Sequence, residues 1–190
     1  MGTHYVEETD FIKQDYTTVG LTIGEYENCR FRQCDFSRSR LNEIMFINCV
    51  FESCNFALAD LGKTSFQDAR FIDCKLLGLR FENCNPFGFC VDFKNSVLDH
   101  SSFYQCKVKN ARFDSCNLLE VDFTESDLTG SVFLECDLVN AKFEQSILEK
   151  ADFRSARNYS IDPRLNRLRK AKFAFPAARG LLDSFGVEIE

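Results

Sequence analysis

Large apolar residues recur at every fifth position along most of this chain. In ARFDSCNLLEVDFTESDLTGSVFLECDL, residues 111–138, the residues Phe113, Leu118, Phe123, Leu128, Phe133 and Leu138 stand five apart. A helix spaces its apolar stripe at 3.6 residues, and a half-buried strand at two. Five matches neither. One register runs Tyr16, Leu21, Tyr26, Phe31, Phe36, Leu41, Phe46, Phe51, Phe56, Leu61, Phe66, Phe71, Leu76 and Phe81, with Phe11 five residues ahead of it. A second runs from Phe93 through Leu98, Phe103, Val108, Phe113 and onward to Phe143, Leu148 and Phe153.

Two residues before each of these centres the side chain is mostly small. Cys29, Cys34, Ser39, Cys49, Cys54, Ala59, Thr64 and Ala69 illustrate the first run, and Ser101, Cys106, Ala111, Cys116 and Ser126 the second. Exceptions such as Ile44, Leu79, Val91 and Val121 are apolar and keep the inward character. The other three positions are dominated by charged and polar residues. One large and one small side chain in every five therefore face a core, and three face water.

This pattern resembles the pentapeptide-repeat family, whose motif A(D/N)LXX appears here as ADLGK at 59–63, CNFAL at 54–58, VDFTE at 121–125, SDLTG at 126–130 and ADFRS at 151–155. The resemblance covers about residues 9–157. It implies an all-β fold, a right-handed quadrilateral β-helix with one repeat per face and four repeats per coil. Residues twenty apart then stack vertically. Phe93, Phe113, Phe133 and Phe153 form one column and Phe103, Phe123 and Phe143 the opposite one, with aliphatic residues on the remaining two. The 27 centres of the two runs make nearly seven coils, a rod on the order of 30–35 Å long at the spacing of stacked strands.

The register breaks once. Twelve residues separate Phe81 from Phe93 where two repeats would take ten, so two residues are inserted within ENCNPFGFCVD, 82–92. Pro86 falls where a centre is due and cannot donate to a ladder. The segment is expected to bulge, with Phe87 and Phe89 either refilling the core or projecting as contact residues. After Phe153 the repeat lapses over RNYSIDPRLNRLRK, 157–170, and returns as AKFAF, 171–175, with Phe173 twenty beyond Phe153. Arg164, Arg167, Arg169, Lys170 and Lys172 make this region basic, and the simplest reading is a solvated loop. A short C-terminal α-helix is expected from Pro176, with Ala178, Leu181, Leu182 and Phe185 on one face and Gly186 as its stop. VEIE, 187–190, alternates like a short strand. The expected organisation is a capping segment over 1–10, the β-helix over 11–157, and a loop, final repeat and capping or dimerisation helix over 158–190.

Composition narrows the chemistry. The 23 basic and 29 acidic residues of this 190-residue chain give a net charge of −6, which disfavours general nucleic-acid binding and permits a basic partner. No long apolar run suggests a membrane span, and the polar N-terminus has no signal-peptide character, so a cytoplasmic protein is expected. Nine of the ten cysteines (29, 34, 49, 54, 74, 84, 106, 116 and 136) fall on the small inward position, and only Cys90 is out of phase. They are expected to be reduced core residues, with no CxxC pair and no metal. The string DHSS, 99–102, contains hydrolase residue types, but neighbours in sequence do not aim at one another as a triad requires. No phosphate loop or dinucleotide fingerprint occurs. No cofactor and no catalytic residue is expected.

The order LLDSFGVEI is similar to the C-terminal dimerisation segment of the pentapeptide proteins that bind DNA gyrase. That resemblance implies a homodimer through Leu181, Leu182, Phe185, Val187 and Ile189. It also implies a quinolone-resistance (Qnr-like) branch, whose rods resemble DNA in width and negative charge and bind DNA gyrase or topoisomerase IV. Between Phe113 and Ala141 stand seven acids and no base: Asp114, Glu120, Asp122, Glu125, Asp127, Glu135 and Asp137. They are the candidate partner-binding surface, although assignment to repeats spreads them over all four faces. The alternative is a structural scaffold whose flat faces hold another protein partner.

Overall fold

In the computed structural model, which describes residues 4–188, the chain winds as a parallel β-helix with four faces per coil. Each repeat spends about three residues along a face and turns a corner with the other two. On face 1, strands β1 (His4–Glu7), β3 (Gly24–Glu27), β5 (Met45–Ile47) and β7 (Ser65–Gln67) pair in order. On face 2, β2 (Asp10–Ile12), β4 (Arg30–Arg32), β6 (Val50–Glu52), β8 (Ala69–Ile72), β9 (Val91–Lys94), β10 (Arg112–Asp114) and β11 (Val132–Leu134) form one continuous parallel sheet. Faces 3 and 4 are held by single parallel bridges such as Asp35↔Asn55 and Ser102↔Asp122. The register is twenty, as the spacing predicts: Phe31 lies beside Phe51 and Phe113 beside Phe133.

The core is a stack of rings. Along face 2, centroids of Phe93, Phe113, Phe133 and Phe153 are 5.2, 4.9 and 4.6 Å apart, nearly parallel. Along face 4, Phe103, Phe123 and Phe143 follow at 5.3 and 5.1 Å. Where the columns meet across the core the rings turn edge to face, as between Phe113 and Phe123 at 5.9 Å and 86°. Both arrangements suit the ring quadrupole, each pair adding about 0.5–1.5 kcal/mol beyond area burial. In the lower half the aromatic faces are different: Phe36 and Phe56 stack on face 3 while Leu41 and Leu61 fill face 4. At one level face 3 changes to Leu76 and face 4 to Phe81, so the core keeps its volume.

Most corners close through a left-handed residue two after the centre. Asn28 and Gln33 have φ 54°, Glu43 64° and Lys150 60°. Such a φ is costly for a side chain with a Cβ, and the repeat accepts it because the corner has no other way round. The side chains at these corners stack in turn, as Asn48 Nδ2 donating to Asn28 Oδ1 at 2.7 Å shows. Gly130 takes one such corner at φ 74°, a conformation open to glycine without strain.

The inward small position also makes hydrogen bonds. The sulfurs of Cys49, Cys54 and Cys74 lie 3.1, 3.2 and 3.3 Å from the carbonyl oxygens of Tyr26, Phe31 and Phe51, each 23 residues earlier and one coil below. Thr64, Ser131 and Ser146 donate their hydroxyls to Leu41, Val108 and Phe123 in the same way, at 2.7, 2.7 and 2.8 Å. The small inward residue is thus both filler and fastener. All ten cysteines are free, eight of them buried.

Three expectations require correction at the ends. The C-terminal segment is not an α-helix but two 3-10 turns, Ala177–Leu181 and Asp183–Phe185. Gly180 is pressed against the Tyr159 carbonyl, and its own carbonyl accepts the Ile161 amide at 3.0 Å. That oxygen is thereby withdrawn from an α-helical ladder, and the segment tightens to i→i+3 bonds. Gly186 does stop it, at φ 63°. Val187 and Glu188 form no strand, while Ile189 and Glu190 lie outside the described residues. The repeat, finally, returns one unit earlier than AKFAF. Asn166 is inward, Leu168 packs against the core twenty beyond Leu148, and Lys170 closes the corner at φ 61°. Arg167, Arg169 and Lys170 therefore belong to a regular face and not to a loop. Between Phe153 and Phe173 only 158–165 departs from the coil, where Tyr159 and Ile161 fill the core.

Candidate interaction surface

The inserted residues sit on face 1, above β7. Asn85 donates its amide to Thr64, Cys90 donates to Phe66, and face 2 continues across the gap with Phe71 paired to Phe93. One face thus absorbs the whole insertion. Phe89 turns inward against Phe81 at 6.3 Å, and Phe87 projects with 78% of its surface exposed. The two aromatic residues divide the roles that the sequence leaves open for both.

The seven acids between Phe113 and Ala141 are not brought together. Asp114 and Glu135 follow centres of face 2, Glu120 and Asp137 lie on face 3, Asp122 and Glu125 on face 4, and Asp127 on face 1. Three of them meet cations from outside the run, Asp114 with Arg112 at 3.2 Å, Asp127 with Lys109 at 3.0 Å and Asp137 with Arg157 at 3.2 Å, and Glu120 lies 3.3 Å from the His100 ring nitrogen. Lys109 and the Thr129 hydroxyl hold the Asp127 carboxyl below the usual range against the opposing effect of its burial. Several acids also cap the backbone, as Asp122 does by accepting the Thr124 amide at 2.9 Å.

Face 1 is where charge gathers. Number its levels from Val6 (level 1) to Leu168 (level 9), with the inserted segment at level 5. Below the insertion its outward positions hold Glu7, Glu8, Glu25, Glu27 and Asp68, and no cation. Above it they hold Lys107, Lys109, Lys150, Arg167, Arg169 and Lys170 against two acids, Asp127 and Glu149. Lys170 stacks directly above Lys150, an unfavourable juxtaposition of like charges. Periodicity at twenty is the signal that finds this face, provided the two inserted residues are first subtracted.

The C-terminal end is apolar outside. Leu182, Phe185 and Val187 are 41–54% exposed, and Leu181 packs against the core. The Arg164 guanidinium lies 4.6 Å from the Phe185 ring centroid, while Arg164 holds the Asp162 carboxyl down to about 2 by hydrogen bonding. An open groove of about 900 Å³ separates this segment from the excursion, lined by Arg157, Tyr159, Arg179 and Leu182 among others. The buried Tyr159 hydroxyl on its wall has no partner.

The DHSS residues point apart. Ser101 is buried with its hydroxyl on the Leu76 carbonyl, His100 faces Glu120, and Asp99 accepts the Leu119 amide. Among the described residues no cluster of three His, Cys, Asp or Glu side chains could hold a metal. No helix among the described residues is long and apolar enough to cross a membrane. Burial pushes the Cys49 thiol up to about 12 and the Cys90 thiol to about 11, so neither is a nucleophile near neutral pH.

A stacked rod of pentads, with a filled core and its polar residues outside, defines a repeat protein. The family model described as "Pentapeptide repeat region" matches residues 25–103 and 80–153, and the chain belongs to that family. Among solved structures it is similar to QnrB1, described as a plasmid-mediated fluoroquinolone resistance protein. The trypsin-treated form matches at 17% identity and a TM-score of 0.66, covering 98% of this chain and 92% of that one. The full-length form matches at 17% identity and 0.54, covering 98% and 100%. At such identities the likeness shows the fold. No curated protein matches the sequence.

Proposed function

We propose that this chain is a non-enzymatic binding protein that docks on a type II topoisomerase, DNA gyrase or topoisomerase IV, in place of DNA. The observation that carries this reading is the end-to-end likeness to the fluoroquinolone resistance protein QnrB1. The net charge of −6 and the five acids without a cation on lower face 1 agree with it. A basic groove attracts such a surface, and the attraction weakens as salt rises. Because Asp114, Asp127 and Asp137 already pair with local cations, this reading takes lower face 1 as the acidic contact in preference to residues 114–137. The same pairing favours a second reading, a scaffold for a partner of another kind, because it gives those acids a structural use.

A supercoiling assay with purified gyrase separates the two. Inhibition by the protein, or relief of quinolone inhibition, is expected at low salt and should fade by about 0.5 M, where the Debye length falls to a few ångströms. No inhibition, no relief and no low-salt binding would leave the scaffold reading.

A further inference from the structure

We infer that face 1 is a self-complementary surface on which two copies of this chain pair side by side and antiparallel, about a two-fold axis at the inserted segment. The argument is one of placement. The insertion occupies level 5 of nine on this face, with four levels on either side. Turned end for end, level 1 of one copy meets level 9 of the other, so Glu7 and Glu8 face Arg167, Arg169 and Lys170. Level 2, with Glu25, Glu27 and Asn28, meets level 8, where Lys150 supplies the cation and Glu149 is the one acid set against another acid. Level 4, with Asp68, meets level 6 with Lys107 and Lys109. Level 3 is uncharged, with Met45, Ile47 and Asn48, and it meets level 7, whose single acid is already paired to Lys109.

Faces 2, 3 and 4 do not sort their charge this way. On face 2 Arg30, Arg32 and Arg70 intermingle with Asp10, Glu52 and Asp73. A two-fold contact requires a patch that complements its own image, and face 1 has that property. It also accounts for Lys150 beneath Lys170, a repulsion within one copy that Glu25 and Glu27 of the second would offset. Phe87 stands 78% exposed at the level where the axis passes. Two such rings meeting there supply the desolvated aromatic centre that a charged contact otherwise lacks. Eight steps of about 4.8 Å make the face on the order of 40 Å long. The pairing covers the same lower face 1 acids as the topoisomerase reading, so the two compete for that surface. Sedimentation without topoisomerase tests the pairing alone, and the end-to-end contact implied for Leu182 and Phe185 is not involved in it.

Sedimentation of the purified chain, with no topoisomerase present, tests it. Twice the chain mass is expected at about 50 mM salt, with association at least tenfold weaker at about 0.5 M. Leu182→Glu with Phe185→Glu removes the end contact and should leave this behaviour in place. Reversing the acidic arm (Glu7→Lys, Glu8→Lys, Glu25→Lys) should give a folded monomer, as should reversing the basic arm (Lys150→Glu, Arg167→Glu, Arg169→Glu). An equal mixture of the two should pair again, because each now complements the other. Phe87→Cys in a Cys90→Ser background should cross-link to itself with oxidised glutathione. A wild-type monomer at low salt, arm variants that still pair, or a mixture that stays monomeric would each overturn the inference.

Discussion

A single side chain of the core, Cys54, shows what the small inward position does. It fills the space beside Phe56, and its sulfur lies 3.2 Å from the Phe31 carbonyl one coil below. Cys54→Ala removes a donor and opens a small void, for an expected loss of about 1–2 kcal/mol in a urea unfolding curve. Cys54→Ser should recover part of it, since Ser131 and Ser146 make the same bond elsewhere. The thiols also set a pH limit. The folded state holds Cys49 near 12 against an ordinary value of 9.0, because burial disfavours the thiolate. Its contribution is intact below about pH 9 and is lost as pH rises from there toward 12, because only the unfolded chain ionises over that range. Stability measured by chemical denaturation should be flat from about pH 7 to 8 and decline above 9. Sequence shows that these residues are small and inward. It does not show the bonds, because a carbonyl 23 residues away becomes a neighbour only once the coil pitch is known.

At the scale of the coil, packing is shared between faces. Face 4 carries Leu61 in the coil where face 3 carries Phe56, and both are fully buried. Leu61→Phe alone overfills that layer and should cost about 1–3 kcal/mol in thermal or urea melts. Adding Phe56→Leu restores the volume, and the double variant should lie well above the sum of the singles. The coil was the most legible element: centres, phase and ring columns follow from period five and its multiple of twenty. Phe173 kept its column across an excursion of irregular residues. Leu168 is not legible as a centre because Pro163 and Asn158 occupy the two preceding centre positions, and Asn166 hides a small inward site behind a polar name. The C-terminal segment departs from its helical spacing for a related reason. Its apolar spacing is helical, but Gly180 makes a tertiary contact that no local pattern encodes.

At the scale of the molecule, Gly180 ties the terminal segment to the rod. Gly180→Ala places a Cβ into the Tyr159 carbonyl, so the segment should lift away, shown by faster amide exchange at Ile161 and greater proteolysis after Arg179. The coils below should keep their stability, since each level of a solenoid contacts only its neighbours. Charge is the property least visible along the chain and most visible on the folded object. The acid-rich stretch 114–137 looks like a patch in one dimension and disperses around the rod in three. Lower and upper face 1 are scattered in the sequence and continuous in space.

The placement of the insertion midway along face 1 bears on how such a rod can change length. Duplicating one twenty-residue unit would extend the column of rings by a single storey and disturb no packing. Done on one side only, it would leave one arm longer than its opposite and shift every ion pair of an antiparallel pair out of step. Growth that preserves the pairing has to add storeys in twos, one on either side of Phe87.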